Sequence, residues 1–219
     1  MQQLFFNFPI KPEYLLDDFF LSSANEYAFN YLNKWPNWDG GAFSKIVLLH
    51  GDSGSGKTHL SYIWKNLSDA EIINIDECKQ LDLFLEKKAF ILEDIESMDE
   101  ELLLHLINFT CENNQYLLLT SKLSPSQLLF SLKDLKSRIL SIPEISIKSP
   151  DQSLLKAILL KHLSDRQLRI SPTSLEYAIL RIDRSFNKLK QFIEEVDKMS
   201  AISKSSITIP LIKKALNIF

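Results

Sequence analysis

Gly51, Gly56, Lys57 and Thr58 occupy the fixed positions of the pattern GxxxxGK[ST], with Gly54 as a further glycine in the middle. This spacing suits a loop that holds a polyphosphate. Glycines let the backbone adopt positive φ and approach an anion, so the N–H groups of Gly51, Asp52, Ser53, Gly54, Ser55 and Gly56 can converge on phosphate oxygens. Lys57 is then expected to reach the β- and γ-phosphates and the Thr58 hydroxyl to hold Mg2+. His59 follows at the head of a helix whose dipole favours negative charge. Of the five glycines in the chain, three lie here and the other two, Gly40 and Gly41, just upstream. A surface turn matching by chance is the competing reading, and the flanking strand and helix argue against it.

The elements that must position these residues alternate. The aliphatic run Ile46–His50 suits a buried parallel strand, and a helix is expected over 57–67. A short strand over 71–74, a helix over 76–87 and the strand Ala89–Leu92 continue the βαβα order. Glu93 and Asp94 end that last strand. Beside a phosphate loop, Glu93 would meet Mg2+ or its water, and Asp94 would orient or activate the attacking water. Such acidic residues also start helices, and it is the phosphate loop that favours the catalytic reading. A helix over 98–112 capped by Ser97 and a strand over 116–120 come next. Thr120, Ser121 and Lys122 end that strand, where an open α/β sheet binds its ligand. Ser124 and Pro125 are expected to open a short helix, and Lys133, Lys136 and Arg138 gather before a last strand over 142–147.

From Ser149 only helical spacing remains, over 151–164, 172–182, 184–199 and Ile209–Leu216, with Ser149 and Pro150 as the expected cap and first-turn pair. Three parts are therefore expected: an arm over 1–12, an α/β nucleotide-binding domain over 13–148 with a parallel five-stranded sheet flanked by helices, and a small helical lid over 149–219. In the arm, bounded by Pro9 and Pro12, Leu4, Phe6 and Phe8 point the same way if the backbone is extended. It either folds back on the core or offers a peptide to a partner's apolar groove.

Composition narrows the function classes. Among 219 residues, 45% are hydrophobic and 24% charged, and no apolar run approaches the roughly 20 residues that span a bilayer. No membrane association is expected. The first residues lack a basic leader with a long apolar stretch, so a cytoplasmic location is expected. Net charge −3 and pI near 5.8 argue against a domain devoted to coating phosphate backbones. Cys78 and Cys111 lack CxxC spacing and read as buried reduced thiols, and the scattered histidines predict no zinc site.

Taken together, these features resemble the AAA+ class of P-loop proteins, and within it the family of the bacterial replication initiator DnaA and its shorter regulator Hda. GDSGSGKTHL at 51–60 resembles the family's GxxGxGKTHL, FILEDIE at 90–96 its LLIDDIQ, and LLLTS at 117–121 its first sensor strand. LKSRI at 135–139 is similar to LKSRF, and the resemblance implies that Arg138 is a finger acting on a neighbouring subunit's nucleotide. ITIPLIKKAL at 207–216 looks like the end of the family's lid.

The single helix expected between the second and acidic strands leaves no room for the basic helix of initiators. The chain also stops after the lid, where a DnaA continues into a helix-turn-helix domain. Both points favour Hda. Gln3, Leu4, Phe6 and Phe8 resemble the QLxLxL motif with which Hda-like proteins bind the replication sliding clamp. Three positions depart from the family: Glu93 stands where it has Asp, Lys122 where many members have Asp, and Asn187 at the second-sensor arginine. Arg184 is the substitute candidate, or else an ordinary solvated arginine.

The resemblance thus implies a regulator that binds ATP or ADP with Mg2+, whose own hydrolysis is weak or partner-dependent. Its partners would be DnaA, the clamp and, through the clamp, DNA, with self-association left open. Two other classes compete. A DNA-binding loader or remnant initiator would run its own ATP cycle and bind single strands, and a small-molecule kinase would need an acceptor pocket and lid arginines.

Overall fold

β1 (Ile46–His50) is buried on both faces, and the alternation of its side chains divides the core. Ile46 and Leu48 join one apolar cluster with Phe90, Leu92, Leu117 and Leu119. Val47 and Leu49 join another with Ile91, Leu118, Leu60 and Trp64. Period-2 alternation sends neighbours to opposite faces, which is why the strands read as unbroken apolar runs and not as alternating ones. The computed structural model describes Leu16 and residues 19–39, 41–73, 86–203 and 207–217. The expected arm and most of the expected 76–87 helix lie outside the described residues, as does Cys78.

Among the described residues, β1, β2 (Glu71–Ile72), β3 (Ala89–Leu92), β4 (Tyr116–Ser121) and β5 (Glu144–Ser146) form one parallel sheet in the order β2-β3-β4-β1-β5. This is the five-stranded parallel sheet expected from sequence. The order sets β1 directly against β4, with His50 in register with Ser121. A chain that leaves β1 for the far edge and crosses back over it to reach β5 opens a crevice at the carboxyl ends of β1 and β4, where ligands of open α/β sheets sit.

Helices cover the sheet. α1 (Glu26–Leu32) precedes β1, and α2 (Lys57–Ser68) follows the glycine loop. Trp64 of α2 stacks on Trp38 at 5.1 Å and is fully buried, which ties α2 to the segment before β1. α3 (Glu100–Glu112) joins β3 to β4, and α4 (Lys133–Ser141) precedes β5. The Glu100 carboxylate accepts from the backbone N–H groups of Ser131 and Leu132 at 2.9 and 2.7 Å, which ties the start of α3 to the entry of α4.

Several local expectations are corrected. α3 begins at Glu100 and not at Met98, because the side chain of Asp99, not Ser97, accepts from the N–H groups of Glu101 and Leu102. Asp also outranks a serine placed two residues too early for the orphan donors of the first turn. Residues 124–127 form a hydrogen-bonded turn, not a helix, with Gln127 and Leu128 both donating to the Ser124 carbonyl. The sequence also offers Ser22 or Ser23 as the cap of a helix running through Glu26 to Leu32, but α1 starts after a turn closed by Asn25 and Glu26 on the Ser22 carbonyl, with no side-chain cap. Cys111 is a free and exposed thiol, not a buried one, because it falls on the outer face of α3.

α5 (Gln152–Asp165), α6 (Pro172–Ile179), α7 (Phe186–Ser203) and α8 (Ile209–Leu216) form a separate helical layer. Its core holds Leu155, Leu159, Ile179, Leu189, Phe192, Ile193, Val196 and Ile212. Asp151, not Ser149, caps α5: its carboxylate accepts from Leu154 N–H at 2.8 Å, and Ser23 from the α/β part donates to it at 3.1 Å. α6 stops at Ile179, and Ile182 closes a final turn onto the Ala178 carbonyl. Among the described residues no helix is long and apolar enough to cross a membrane.

Candidate nucleotide site

The glycine loop between β1 and α2 is held from both sides. Gly51 N–H donates to the Ser121 carbonyl of β4 at 3.2 Å, and a Cβ at Gly51 would lie 2.9 Å from the Ile147 carbonyl oxygen. No side chain fits there. Gly56 stands at the N-terminal boundary of α2 with φ 100°, a left-handed conformation that glycine takes without the Cβ penalty, and its carbonyl accepts from Leu60 to close the first turn.

Lys57, only 7% exposed, turns back over the loop: its Nζ donates to the Gly51 carbonyl at 2.7 Å and the Asp52 carbonyl at 3.2 Å. Burial lowers its pKa, while the negative charges of Asp94 and Glu96 oppose that shift. The Ser55 hydroxyl is buried in the same loop without a partner.

Opposite the loop, the end of β3 brings in Glu93. Burial pushes its carboxyl above the usual carboxylate range; the Thr58 hydroxyl and the Lys57 ammonium pull it back, while the charge of Asp94 adds to the rise. Ser61, one turn beyond Thr58 on α2, is fully buried beside it and its hydroxyl also pulls the Glu93 carboxyl down, while Glu93 Oε1 is buried without a hydrogen-bond partner. Buried polar atoms ordinarily find partners. A lysine ammonium, a loop with Gly54 and Gly56 at positive φ, and the buried, unpartnered Ser55 Oγ and Glu93 Oε1 form a set that fits a polyphosphate with a hard divalent cation.

Asp94 has φ 53° and ψ 53°, unusual for a non-glycine residue, and its backbone N–H donates to the buried Thr120 hydroxyl at 3.1 Å. Ser121 Oγ accepts from Leu123 N–H at 3.0 Å. Thus the structure gathers Lys57, Thr58, Glu93, Asp94, Thr120 and Ser121 at the carboxyl ends of β1, β3 and β4. Lys122 adds an ammonium 3.5 Å from Asp94 Oδ2 and 3.6 Å from Glu96 Oε1.

The remaining sequence candidates are placed apart. The His59 ring meets Phe19 edge-on at 5.2 Å, and a Cβ at Gly56 would lie 3.6 Å from the same Phe19 ring. Arg184 is exposed in the stretch before α7. Arg138 projects from α4, where its Nε donates to Asp134 Oδ2 at 3.2 Å one turn earlier. Gln3, Leu4, Phe6 and Phe8 lie outside the described residues.

The loop also meets the lid. A Cβ at Gly54 would lie 3.6 Å from Phe186 Cβ, and a cavity of about 180 Å3 beside them is lined by Gly54, Ile158, Arg166, Phe186, Lys190 and others. A larger recess, about 570 Å3, lies near the starts of α6 and α8 and contains none of the residues gathered around the loop. We take the smaller cavity as the relevant one because it touches the loop. Sequence reasoning missed Ser61, Glu96, Phe19 and Phe186. Only Ser61 left a trace, since three residues beyond Thr58 put it on the same helical face.

Comparison with known proteins gives a consistent result. Residues 151–216 match the family model described as "Hda, lid domain". The chromosomal replication initiator protein DnaA of Buchnera aphidicola subsp. Cinara cedri is 24% identical over 98% of this chain, which spans about half, 55%, of that relative's length. Among solved structures, domain III of the Thermotoga maritima initiation protein DnaA superposes with a TM-score of 0.74 at 19% identity, covering 97% of this chain and 99% of that one. AMPPCP-bound DnaA from Aquifex aeolicus superposes with a TM-score of 0.67 at 17% identity, covering 88% and 67%. The chain thus has the fold of DnaA domain III, and its helical part over 151–216 matches the Hda lid model.

Proposed function

We propose that this protein is an Hda-like regulator of replication initiation, which binds an adenine nucleotide with Mg2+ between the phosphate loop and the lid. The match of the lid to the Hda model, joined to a phosphate loop faced by Glu93 and Asp94, carries this reading. In it, the loop from Gly51 to Gly56 wraps the phosphates, with the N–H groups other than those of Gly51 and Ser55, which are bonded within the protein, as donors, and Lys57 leaves the loop carbonyls for them. Thr58 and Glu93 hold the cation, which when bound supplies charge neutralisation at the β- and γ-phosphates. Thr120 sets the backbone of Asp94. Gln3, Leu4, Phe6 and Phe8 engage the sliding clamp and through it DNA, and Arg138 acts on ATP held by DnaA.

The geometry of Arg138 is compatible with a role in trans. Its intrahelical pair with Asp134 is worth only about 0.3–0.5 kcal/mol. A partner's γ-phosphate can therefore outcompete it, since such a finger contributes roughly 10³–10⁵ in rate. The expected result is that Arg138→Ala keeps nucleotide and clamp binding yet loses most stimulation of hydrolysis of DnaA-bound ATP on loaded clamp, with Arg138→Lys a poor rescue. Stimulation equal to the parent's would remove the finger from the account.

For the nucleotide itself, Lys57→Ala is expected to weaken ADP binding in calorimetry by at least about tenfold, the loss of a charge-assisted hydrogen bond of about 1.5–3 kcal/mol. An unchanged affinity would sink the site. A second reading, a DNA-binding initiator or loader, draws on the whole-chain similarity to DnaA. Titration of single-stranded DNA at several salt concentrations separates the two, since direct binding predicts a steep salt dependence.

A further inference from the structure

Charge divides unevenly along the chain. Residues 1–150 hold 13 Lys and Arg against 21 Asp and Glu, a formal −8, whereas residues 151–219 hold 12 against 7, a formal +5. The helical layer is therefore cationic on a chain whose total is −3. Three of its carboxylates are matched within it: Glu176 by Lys156 at 2.6 Å, Glu195 by Lys198 at 2.7 Å and Asp197 by Arg166 at 3.3 Å. Arg169, Arg181, Lys213 and Lys214 are exposed, and among the described residues no carboxylate pairs with any of them. The Tyr177 ring of α6 joins two of these cations, with the Arg181 guanidinium 3.6 Å above it and Lys213 Nζ of α8 at 6.0 Å. Lys214 follows in the same exposed last turn of α8. Arg169 lies at the other end of these two helices, in the recess of about 570 Å3 that also holds Thr173 and Thr208. Both helices start at that recess, where Ile170 pairs with Ile207 in parallel. Eight residues make each helix about 12 Å long, so the cations bound a strip of roughly that length.

We infer that this strip of the helical layer binds the phosphate backbone of duplex DNA without regard to sequence. A duplex presents one phosphate per about 1.7 Å of its axis, so several fall within reach of the four cations. Arginine and lysine neutralise such phosphates, and the threonine hydroxyls of the recess can donate to their oxygens. The strip suits backbone and not bases. Its aromatic ring, Tyr177, packs against the core of the layer and carries Arg181 on its face, so it offers no platform on which an unpaired base could stack. That favours a duplex over a single strand. The α/β part, at −8, repels the same polyanion and confines the contact to the helical layer. The proposed function reaches DNA only through the clamp, whereas this strip gives the protein a direct and salt-sensitive hold. It requires neither nucleotide nor clamp.

The experiment uses the full chain without nucleotide and a fluorescent duplex of arbitrary sequence, with anisotropy titrated between about 50 and 200 mM salt. For four cations the logarithm of the binding constant should fall with the logarithm of salt with a slope of about −3 to −4. Lys213→Gln with Lys214→Gln is expected to weaken binding at least about tenfold at the lower salt and to make the slope shallower by about 2. Lys213→Arg with Lys214→Arg keeps the charge and should bind like the parent. Arg169→Gln repeats the test at the far end of the strip, in case the double change disturbs α8, and should make the slope shallower by about 1. Lys133→Gln with Lys136→Gln, on α4, removes as much charge elsewhere and should leave binding within about twofold of the parent's. The inference is overturned by a parent that does not bind the duplex, by an unchanged slope in both strip variants, or by an equal loss in the α4 variant. A single strand of the same length bound more tightly than the duplex also overturns it, as does binding to phosphatidylserine vesicles without binding to the duplex. Calorimetry with ADP reads the nucleotide site separately, so none of these outcomes bears on the proposed function.

Discussion

A carboxylate whose pKa is raised by burial marks a place where the fold tolerates an unfavourable charge, and Glu93 is such a group. The folded chain holds the Glu93 proton to higher pH than the unfolded chain does. The associated stability is therefore fully present below the unfolded pKa and is lost as pH rises through the raised folded one. Above that point burial penalises the charged carboxylate, whose Oε1 is buried without a hydrogen-bond partner. Glu93→Gln is accordingly expected to raise the melting temperature of the nucleotide-free protein at neutral pH. The gain should shrink in acid, where the parent carboxyl is protonated as well. Thermal melts across that range check this, and a destabilised glutamine variant at neutral pH would contradict the electrostatic account. The same variant should lose the Mg2+ dependence of nucleotide binding, because an amide is a weaker ligand for a hard cation.

For a single element, the junction of the loop with α2 is the most demanding position. Gly56 has φ 100°, and a Cβ there would meet the Phe19 ring at an ordinary 3.6 Å. Space is available, so the cost of Gly56→Ala is conformational and falls at about 1–3 kcal/mol. Denaturant melts should register that loss, and ADP binding should weaken with it because the first turn of α2 and the loop N–H groups shift together. A loss below about 0.5 kcal/mol would show that the left-handed backbone is not required. At Gly51 the reason for glycine differs, since a side chain would collide with the Ile147 carbonyl.

Across the whole molecule, the contact of lid with loop is the feature that couples the two layers. Phe186, 5% exposed, packs in the cluster that contains Leu60 and Trp64, while Phe192 on the same helix is fully buried in the core of the lid. Both alanine substitutions should cost about 3–5 kcal/mol of stability, the usual range for deleting a buried ring. Their effects on the site should differ. Phe186→Ala is expected to change ADP affinity, because it removes the lid's packing beside Gly54, whereas Phe192→Ala should leave the affinity of the folded fraction close to the parent's. Equal affinity in both variants would show that the lid and loop are energetically independent.

How much of this was legible from sequence follows from the range of each interaction. Strands β1, β3 and β4, the loop and α2 follow from apolar runs and glycine spacing, because these are properties of contiguous residues. The ends of elements were less legible. Asp99 replaced Ser97 as a cap and a turn replaced the short helix expected from Ser124 and Pro125, since several neighbouring polar residues could satisfy the same N–H groups and only the packed geometry selects one. By itself the sequence determined a parallel α/β layer, a phosphate-holding loop, an acidic strand end and a helical second layer. Tertiary structure alone decided that β1 lies against β4, that Ser61 is buried beside Glu93, that Lys122 pairs with Asp94 and Glu96, and that Phe19 and Phe186 press on the loop. Each of these joins residues distant in the chain. Such pairings are set by how the burial of apolar faces stacks the elements, and no local period encodes them.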